Sequence, residues 1–328
     1  MNNGVEILNI LDNFKGKRIA VIGDVMLDYF IRGTVNRISP EAPVPIVDVI
    51  DESEHPGGAA NVGYNIATLG GKAFLFGVIG NDKNGEHLVA LLNKLEINTL
   101  GLIIDTNRPT TVKTRIIAGS QHVVRFDRES KKHLSENSLN QIVEKFNLIS
   151  DNIDAVILQD YNKGVLQKSL IESIIKISNR KKIPILVDPK KDNFFEYKYC
   201  TIFKPNRKEA EEGLGVKLDS MDKLNEASKN LLSKINSKFV VITLSGEGML
   251  ISEQDKEIMH IPTNAIQVAD VSGAGDTVIA TLAVSIAAGA SMTQAVTLSN
   301  YSAGIVCEQI GTVPIKFKEL KNKFKLTD

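Results

Sequence analysis

The alternation of short apolar runs with helix-patterned segments constrains this chain more than any other feature. RIAVIGD (18–24), AFLFGVIG (73–80), DAVILQD (154–160), IPILVDP (183–189), TIFKPN (201–206) and KFVVITLSG (238–246) have strand length and close on Gly, Asp, Pro or Asn. Between most of them lie segments such as NGEHLVALLNKL and SENSLNQIVEKFNLI, whose apolar residues recur at helical spacing. Strands alternating with helices predict an α/β fold with a mainly parallel sheet covered on both faces. Ligands of such sheets bind beyond the strands' C-terminal ends, which is where Asp24, Asp160, Asp188, Asn206 and Ser245 fall.

Two stretches break the alternation. FIRGTVNRISPEAPVPIVDVI (30–50) is β-rich and carries three prolines, and TTVKTRIIAGSQHVVRFD (110–127) reads as a hairpin turning at Gly119 and Ser120. They are expected to form a small sheet projecting from the main one as a lid, the alternative being edge strands of the main sheet.

Charge and composition narrow the class of partner. Lys plus Arg equals Asp plus Glu at 39 each, so no global field favours nucleic acid or an anionic membrane surface. Cys200 and Cys307 lack the spacing of a zinc or redox pair, and the histidines at 55, 87, 122, 133 and 260 lack metal-ligand spacing. The first residues carry no basic segment or cleavage site, and Val5, Leu8 and Leu11 suggest a short amphipathic helix. A cytoplasmic setting is expected. Thr277 to Cys307 contains no charged residue, but Gly289 and recurring Ser, Thr, Gln and Asn predict two short buried helices rather than a membrane span.

Four motifs carry candidate chemistry. In DVSGAGDTVIA (270–280), Gly273 and Gly275 leave backbone N–H groups uncovered where an apolar helix begins, an arrangement that attracts anions, and Asp276 sits there as either helix cap or catalyst. GGAANVGYNIATLGG (57–71) puts Gly57 and Gly58 before Asn61 and Asn65, which suits either a polyol ligand or tight helix packing. In KPNRKEAEE (204–212), Asn206 and Glu209 are spaced for a capping box or for the water shell of Mg²⁺. TLSGEGM (243–249) is either a nucleotide-contacting strand end or a hairpin turn. Neither a P-loop nor a dinucleotide fingerprint is present.

The order of these motifs resembles the PfkB, or ribokinase-like, carbohydrate kinase family across nearly the whole chain: DVSGAGDT resembles its C-terminal signature and GGAANVGYNIATLG its N-terminal one. The resemblance implies one three-layer kinase domain over 1–328, with lid strands from about 30–50 and 110–127, acting with ATP and Mg²⁺. GDVMLDYFIRG, RISPEAPVPIV, LQDYNKGVL, VDPKK and PNRKEAEE are similar to the members that phosphorylate D-glycero-D-manno-heptose 7-phosphate at its anomeric carbon for ADP-heptose and lipopolysaccharide synthesis. Many of those members are fused to an adenylyltransferase. This chain ends soon after IGTVPIKFKELKNKFK, so the resemblance implies a separate adenylyltransferase as pathway neighbour, and a homodimer paired through lids.

Residue by residue, the resemblance makes Asp276 the general base and Gly273, Ala274 and Gly275 the anion hole. Asn206 and Glu209 organise Mg²⁺ and phosphate; Asp28, Gly57, Gly58 and Asn61 contact the sugar; Thr243, Ser245, Gly248 and Asn300 line the nucleotide pocket. Asp270 and Ser272 fall where some members bind a monovalent cation such as K⁺. Ser245 replaces a usual Gly and Tyr301 a usual smaller residue. The 7-phosphate requires a cationic clamp, for which Arg125, Lys163 and Arg37 are candidates, with Asp160 beside the sugar. The cradle's positive field is expected to hold the Asp276 pKa low. A sugar-binding protein on the same scaffold would need no such base.

Overall fold

The computed structural model describes residues 2–119, 121–263 and 268–325. Helix α1 (Asn2–Asp12) leads into β1 (Arg18–Gly23) and the long strands β2 (Val25–Ile38) and β3 (Pro45–Gly58); α2 (Ala59–Thr68), β4 (Lys72–Gly80), α3 (Lys83–Lys94) and β5 (Asn98–Asp105) follow. A hairpin, β6 (Val112–Ala118) and β7 (Gln121–Arg128), precedes α4 (Glu136–Ile149), β8 (Ala155–Gln159), α5 (Lys168–Arg180), β9 (Ile185–Asp188) and β10 (Ile202–Phe203). The chain continues through α6 (Arg207–Leu214), α7 (Met221–Ile235), β11 (Phe239–Thr243), β12 (Met249–Glu253) and β13 (Met259–Ile261). It then reaches α8 (Ala274–Ala287), α9 (Met292–Cys307) and α10 (Phe317–Lys325).

Nine strands form one sheet in the order β13-β12-β11-β10-β9-β8-β1-β4-β5, antiparallel only at β11-β12-β13. Apolar side chains of β1 alternate between two cores: Ile19 and Val21 pack with residues of α2, α8 and α9, whereas Ala20 and Ile22 pack with α4, α5 and α7. That alternation is the period-2 pattern of a strand buried on both faces. Asp82, Ser135, Ser220 and Ser291 start α3, α4, α7 and α9 by accepting a backbone N–H three residues on. The uncharged stretch forms α8 and α9, broken at Gly289, and among the described residues no helix is long and apolar enough to cross a membrane.

The remaining strands form a separate four-stranded sheet ordered β3-β2-β6-β7. The hairpin turns where expected, although Ser120 lies outside the described residues. The edge-strand alternative is excluded, and the first pair is longer than 30–50 suggested, running from Val25 to Gly58. In the large sheet, strand order runs outward from β1 in both directions, so β1 and β8 border the topological switch point. The crevice beyond their C-terminal ends is where the small sheet leaves the large one and where α8 begins.

Candidate active site

Asp276 stands in the first turn of α8 and is 5% exposed. It is not a helix cap. Gly273 occupies the N-cap position with φ of 80°, and the Asp276 carboxylate instead accepts three side-chain donors. Asn61 Nδ2 donates to Oδ2 at 2.8 Å; Gln159 Nε2 and the Tyr161 hydroxyl donate to Oδ1 at 3.1 and 2.6 Å. The backbone N–H groups of Gly273, Gly275 and Asp276 have no hydrogen-bond partner among the described residues, while that of Ala274 reaches the Val271 carbonyl at 3.2 Å. Uncovered N–H groups at a helix N-terminus can seat an anion, and the Asp276 carboxylate stands beside them. A side chain at Gly273 would be strained at that φ, and its Cβ would stand 2.8 Å from Thr312 Cγ2.

The expected depression of the Asp276 pKa is reversed. Burial is the largest influence and, with the nearby Asp188 charge, raises it to about 6 against the bonds from Tyr161 and Asn61 and the Lys204 charge. Desolvation outweighs the helix dipole because the carboxylate is sealed in rather than exposed at the helix tip.

Among the positions expected to contact sugar, Gly57 allows the Asp28 carboxylate to approach: a Cβ at Gly57 would lie 2.5 Å from Asp28 Oδ2. Gly58 forms the N-cap of α2. Asp28 Oδ1 is held by Arg115 on β6 at 2.6 Å, a pairing that joins the two halves of the small sheet. Asn61, expected as a sugar ligand, donates an amide N–H to Asp276, and Asn65 behind it accepts from Thr277 Oγ1 and the Ile315 N–H.

Asp160 is corrected more fully. Its oxygens accept from the Tyr197 hydroxyl at 2.6 Å and the Asn162 N–H at 2.7 Å, and it is 1% exposed, so it shapes the loop instead of offering an oxygen to substrate. Asp24 does the same from between β1 and β2, accepting the N–H groups of Tyr161, Lys163 and Val165 at 2.9, 3.1 and 3.2 Å. Burial, then the Asp160 charge, pushes its pKa to about 6 despite those three bonds. The Asp24 grip fixes the loop that delivers Tyr161 to Asp276.

Asn206 and Glu209 form a reciprocal capping box at α6, each bond 2.8 Å. The cap reading is therefore correct, but Glu209 also binds Lys190, whose ammonium lies 5.6 Å from the centre of the Tyr161 ring. Burial opposes the Lys190 charge, yet Asp188 and Glu209 raise its pKa overall. Lys204 and Asp188 form a buried pair at 3.1 Å with 2% and 7% side-chain exposure, and Gln159 Nε2 links Asp188, at 3.2 Å, to Asp276. Burial and Asp188 raise the Glu209 pKa against the two lysines.

The family model described as pfkB family carbohydrate kinase matches residues 17–317. The chain belongs to that family. The bifunctional protein HldE of Sulfurimonas denitrificans is 40% identical over 314 residues, covering 96% of this chain and 65% of that protein, so the chain spans less than two thirds of this relative. Phosphofructokinase-2 of Escherichia coli in complex with potassium superposes with a TM-score of 0.78 at 19% identity, covering 95% of this chain and 99% of that one. Arabidopsis thaliana ribokinase complexed with ribose and ATP gives 0.75 at 18%, covering 94% and 99%. At these identities the structural likeness concerns the ribokinase-like fold.

Other positions expected from the PfkB pattern divide. Thr243 closes β11 and bridges Asn206, so these two meet. Ser245 has φ of 53°, the left-handed region that accounts for the usual glycine, and opens the turn that ends at Gly248. The Gly248 Cα faces the Ile261 carbonyl, which a Cβ would meet at 2.1 Å. Asn300 is buried and donates to the Pro262 carbonyl at 2.6 Å. Asp270 accepts the Ser272 and Gly311 N–H groups at 2.9 and 3.0 Å, which fastens the loop ahead of the anion seat. Tyr301 fits because its ring packs on Phe324 at 4.7 Å between centroids.

The cationic candidates are paired with carboxylates. Lys163 binds Glu129 at 2.7 Å, and Arg125, 57% exposed, binds Asp127 at 3.1 Å. Arg37 pairs with Asp48 at 3.8 Å and lies nine residues along β2 from Asp28, about 30 Å at 3.3 Å per residue. Tyr161, Gln159, Lys190 and Arg115 are site residues that sequence reasoning missed. Only the YNKG and VDPKK stretches, noted for their resemblance, pointed toward Tyr161 and Lys190.

Proposed function

We propose that this chain transfers the γ-phosphoryl group of ATP to the anomeric hydroxyl of D-glycero-D-manno-heptose 7-phosphate, giving the 1,7-bisphosphate and ADP. The observation that carries the reading is the buried Asp276 carboxylate standing beside three uncovered backbone N–H groups at the start of α8. Asp276 takes the hydroxyl proton as the oxygen attacks phosphorus, and the N–H groups of the anion seat offset charge on the transferring group. A base with a pKa of about 6 is ionised at neutral pH yet more basic than an ordinary carboxylate. The heptose assignment rests on the RISPEAPVPIV and LQDYNKGVL resemblance and on the identity to the HldE proteins.

Oxygen donors Asn206 and Glu209 suit Mg²⁺, a hard cation that keeps several waters and leans on substrate phosphates. When bound, Mg²⁺ supplies charge neutralisation at the phosphates. Asp270 and Ser272 are proposed to border a monovalent-cation site, with backbone oxygens supplying the ligands. Lys163 and Arg125 are proposed to exchange Glu129 and Asp127 for the sugar's 7-phosphate as the small sheet closes. We further propose that residues 1–328 act as one kinase unit in the cytoplasm. Two copies would pair through the small sheet, which leaves Ile38, Val49, Ile50 and Phe126 exposed.

ADP release from MgATP, measured with heptose 7-phosphate, fructose 6-phosphate, ribose and no sugar, tests the reading. Release above the no-sugar rate with the heptose alone supports it. Preference for another acceptor overturns the heptose assignment while leaving a kinase, and tight sugar binding without turnover favours a binding protein.

A further inference from the structure

We infer that Tyr161 is a positioning residue for the catalytic base, which saturates one carboxylate oxygen so that the other receives the substrate's proton. The inference rests on the reading of Asp276 as the base. An ionised carboxylate offers about four lone-pair sites, two on each oxygen. Gln159 and Tyr161 fill those on Asp276 Oδ1, and Asn61 fills one on Oδ2, so the open site belongs to Oδ2.

The Tyr161 phenol is not placed by chance. Its backbone N–H is bound by the buried Asp24, its ring carries Lys190 over one face, and Asn162 follows it in a left-handed conformation with φ of 54°. The loop is tied down again where the Arg108 guanidinium donates to the carbonyls of Ser130, Lys132 and Lys163 at 3.2, 2.8 and 3.0 Å. The 2.6 Å phenol bond is the shortest of the three to the carboxylate, as expected for a hydroxyl donating to a charged acceptor. Burial and the Asp276 charge push the phenol's pKa well above its ordinary value, so it remains a donor across any assay range.

The charged groups facing Asp276 are Asp188 at the end of β9, Lys204 after β10, and Lys190, itself tied to Glu209 of α6; α2 contributes only the amides of Asn61 and Asn65. Asp188 opposes ionisation of the base and Lys204 favours it, and both are tied to one another at 3.1 Å. The phenol is therefore the main adjustable donor that keeps Asp276 ionised within a desolvated site.

The test is the pH dependence of kcat/KM for Tyr161→Phe, which keeps the ring and removes only the donor. A charge-assisted hydrogen bond corresponds to about 1 to 2 pH units in the acceptor's pKa. The acid limb, set by a group near 6 in the native protein, should move up by that amount. The variant would then be slower by about 5- to 50-fold at pH 6 and within a few-fold at pH 9, with the KM for ATP little changed. A limb that stays in place, whether or not the overall rate falls, overturns the assignment, because a merely structural role would lower the rate equally at every pH. Failure of the base reading is separately visible: it would appear as turnover by Asp276→Asn, whereas failure of this inference leaves Asp276→Asn inactive and only the Phe profile unmoved.

Discussion

Replacing Asp276 by Asn separates catalysis from folding in one variant. The folded protein holds this carboxyl at about 6 against an ordinary 3.8, so keeping it ionised inside the protein opposes folding. Two pKa units correspond to about 3 kcal/mol. The folded state binds the proton more tightly than the unfolded chain, so the penalty is absent below about pH 3.8, grows as the pH rises, and is complete above about pH 6. Asn carries no charge and escapes it. Its amide would, however, present a donor toward Asn61 Nδ2, and the lost hydrogen bond costs about 1 to 2 kcal/mol. The net expectation at pH 8 is a gain of about 1 to 2 kcal/mol, or roughly 1.5–3 °C in Tm, shrinking to nothing or reversing near pH 4. Turnover should fall by about 10² to 10⁴-fold. Thermal melts at pH 4.5 and 8, with ADP release on the same preparations, give both numbers. A variant that melts lower at pH 8 than the native protein while retaining turnover would refute the electrostatic and the catalytic reasoning together.

Lys204→Met should destabilise the fold by about 3 to 5 kcal/mol in denaturant titration, because it strands Asp188 without its buried partner; a loss below 1 kcal/mol would show that water reaches the pair. Lys163→Ala should raise the KM for heptose 7-phosphate by tenfold or more while leaving that for ATP within a few-fold, and an unchanged sugar KM removes Lys163 from the clamp. Ile50→Glu should convert dimers to monomers in light scattering, and a monomeric native protein would remove the proposed pairing.

The sheet was legible because a strand buried on both faces writes itself as a local apolar run, and each of the six runs became a strand. The uncovered N–H groups at the start of α8 were legible because glycines before an apolar helix have a local meaning. Residues that meet only across the fold were not. Tyr161 and Gln159 lie 115 and 117 positions from Asp276, and Arg115 lies 87 from Asp28, so no periodicity connects them. Asp24 and Asp160 both end strands next to the switch point, yet both turn into the loop, which depends on where Tyr197 and the backbone of 161–165 sit. The sign of the Asp276 shift failed for the same reason: dipole and glycines are local, whereas burial comes from distant elements closing over the site. Ser245 shows the reverse case, a position noted in the sequence where a single backbone angle accounts for the usual glycine.

The measurement closest to the central claim is ³¹P NMR of the products formed from MgATP and D-glycero-D-manno-heptose 7-phosphate. The account predicts a new phosphate resonance coupled to the anomeric proton, appearing in step with ADP while the 7-phosphate signal persists. ADP accompanied only by inorganic phosphate, or a new phosphate on any other carbon, would contradict it.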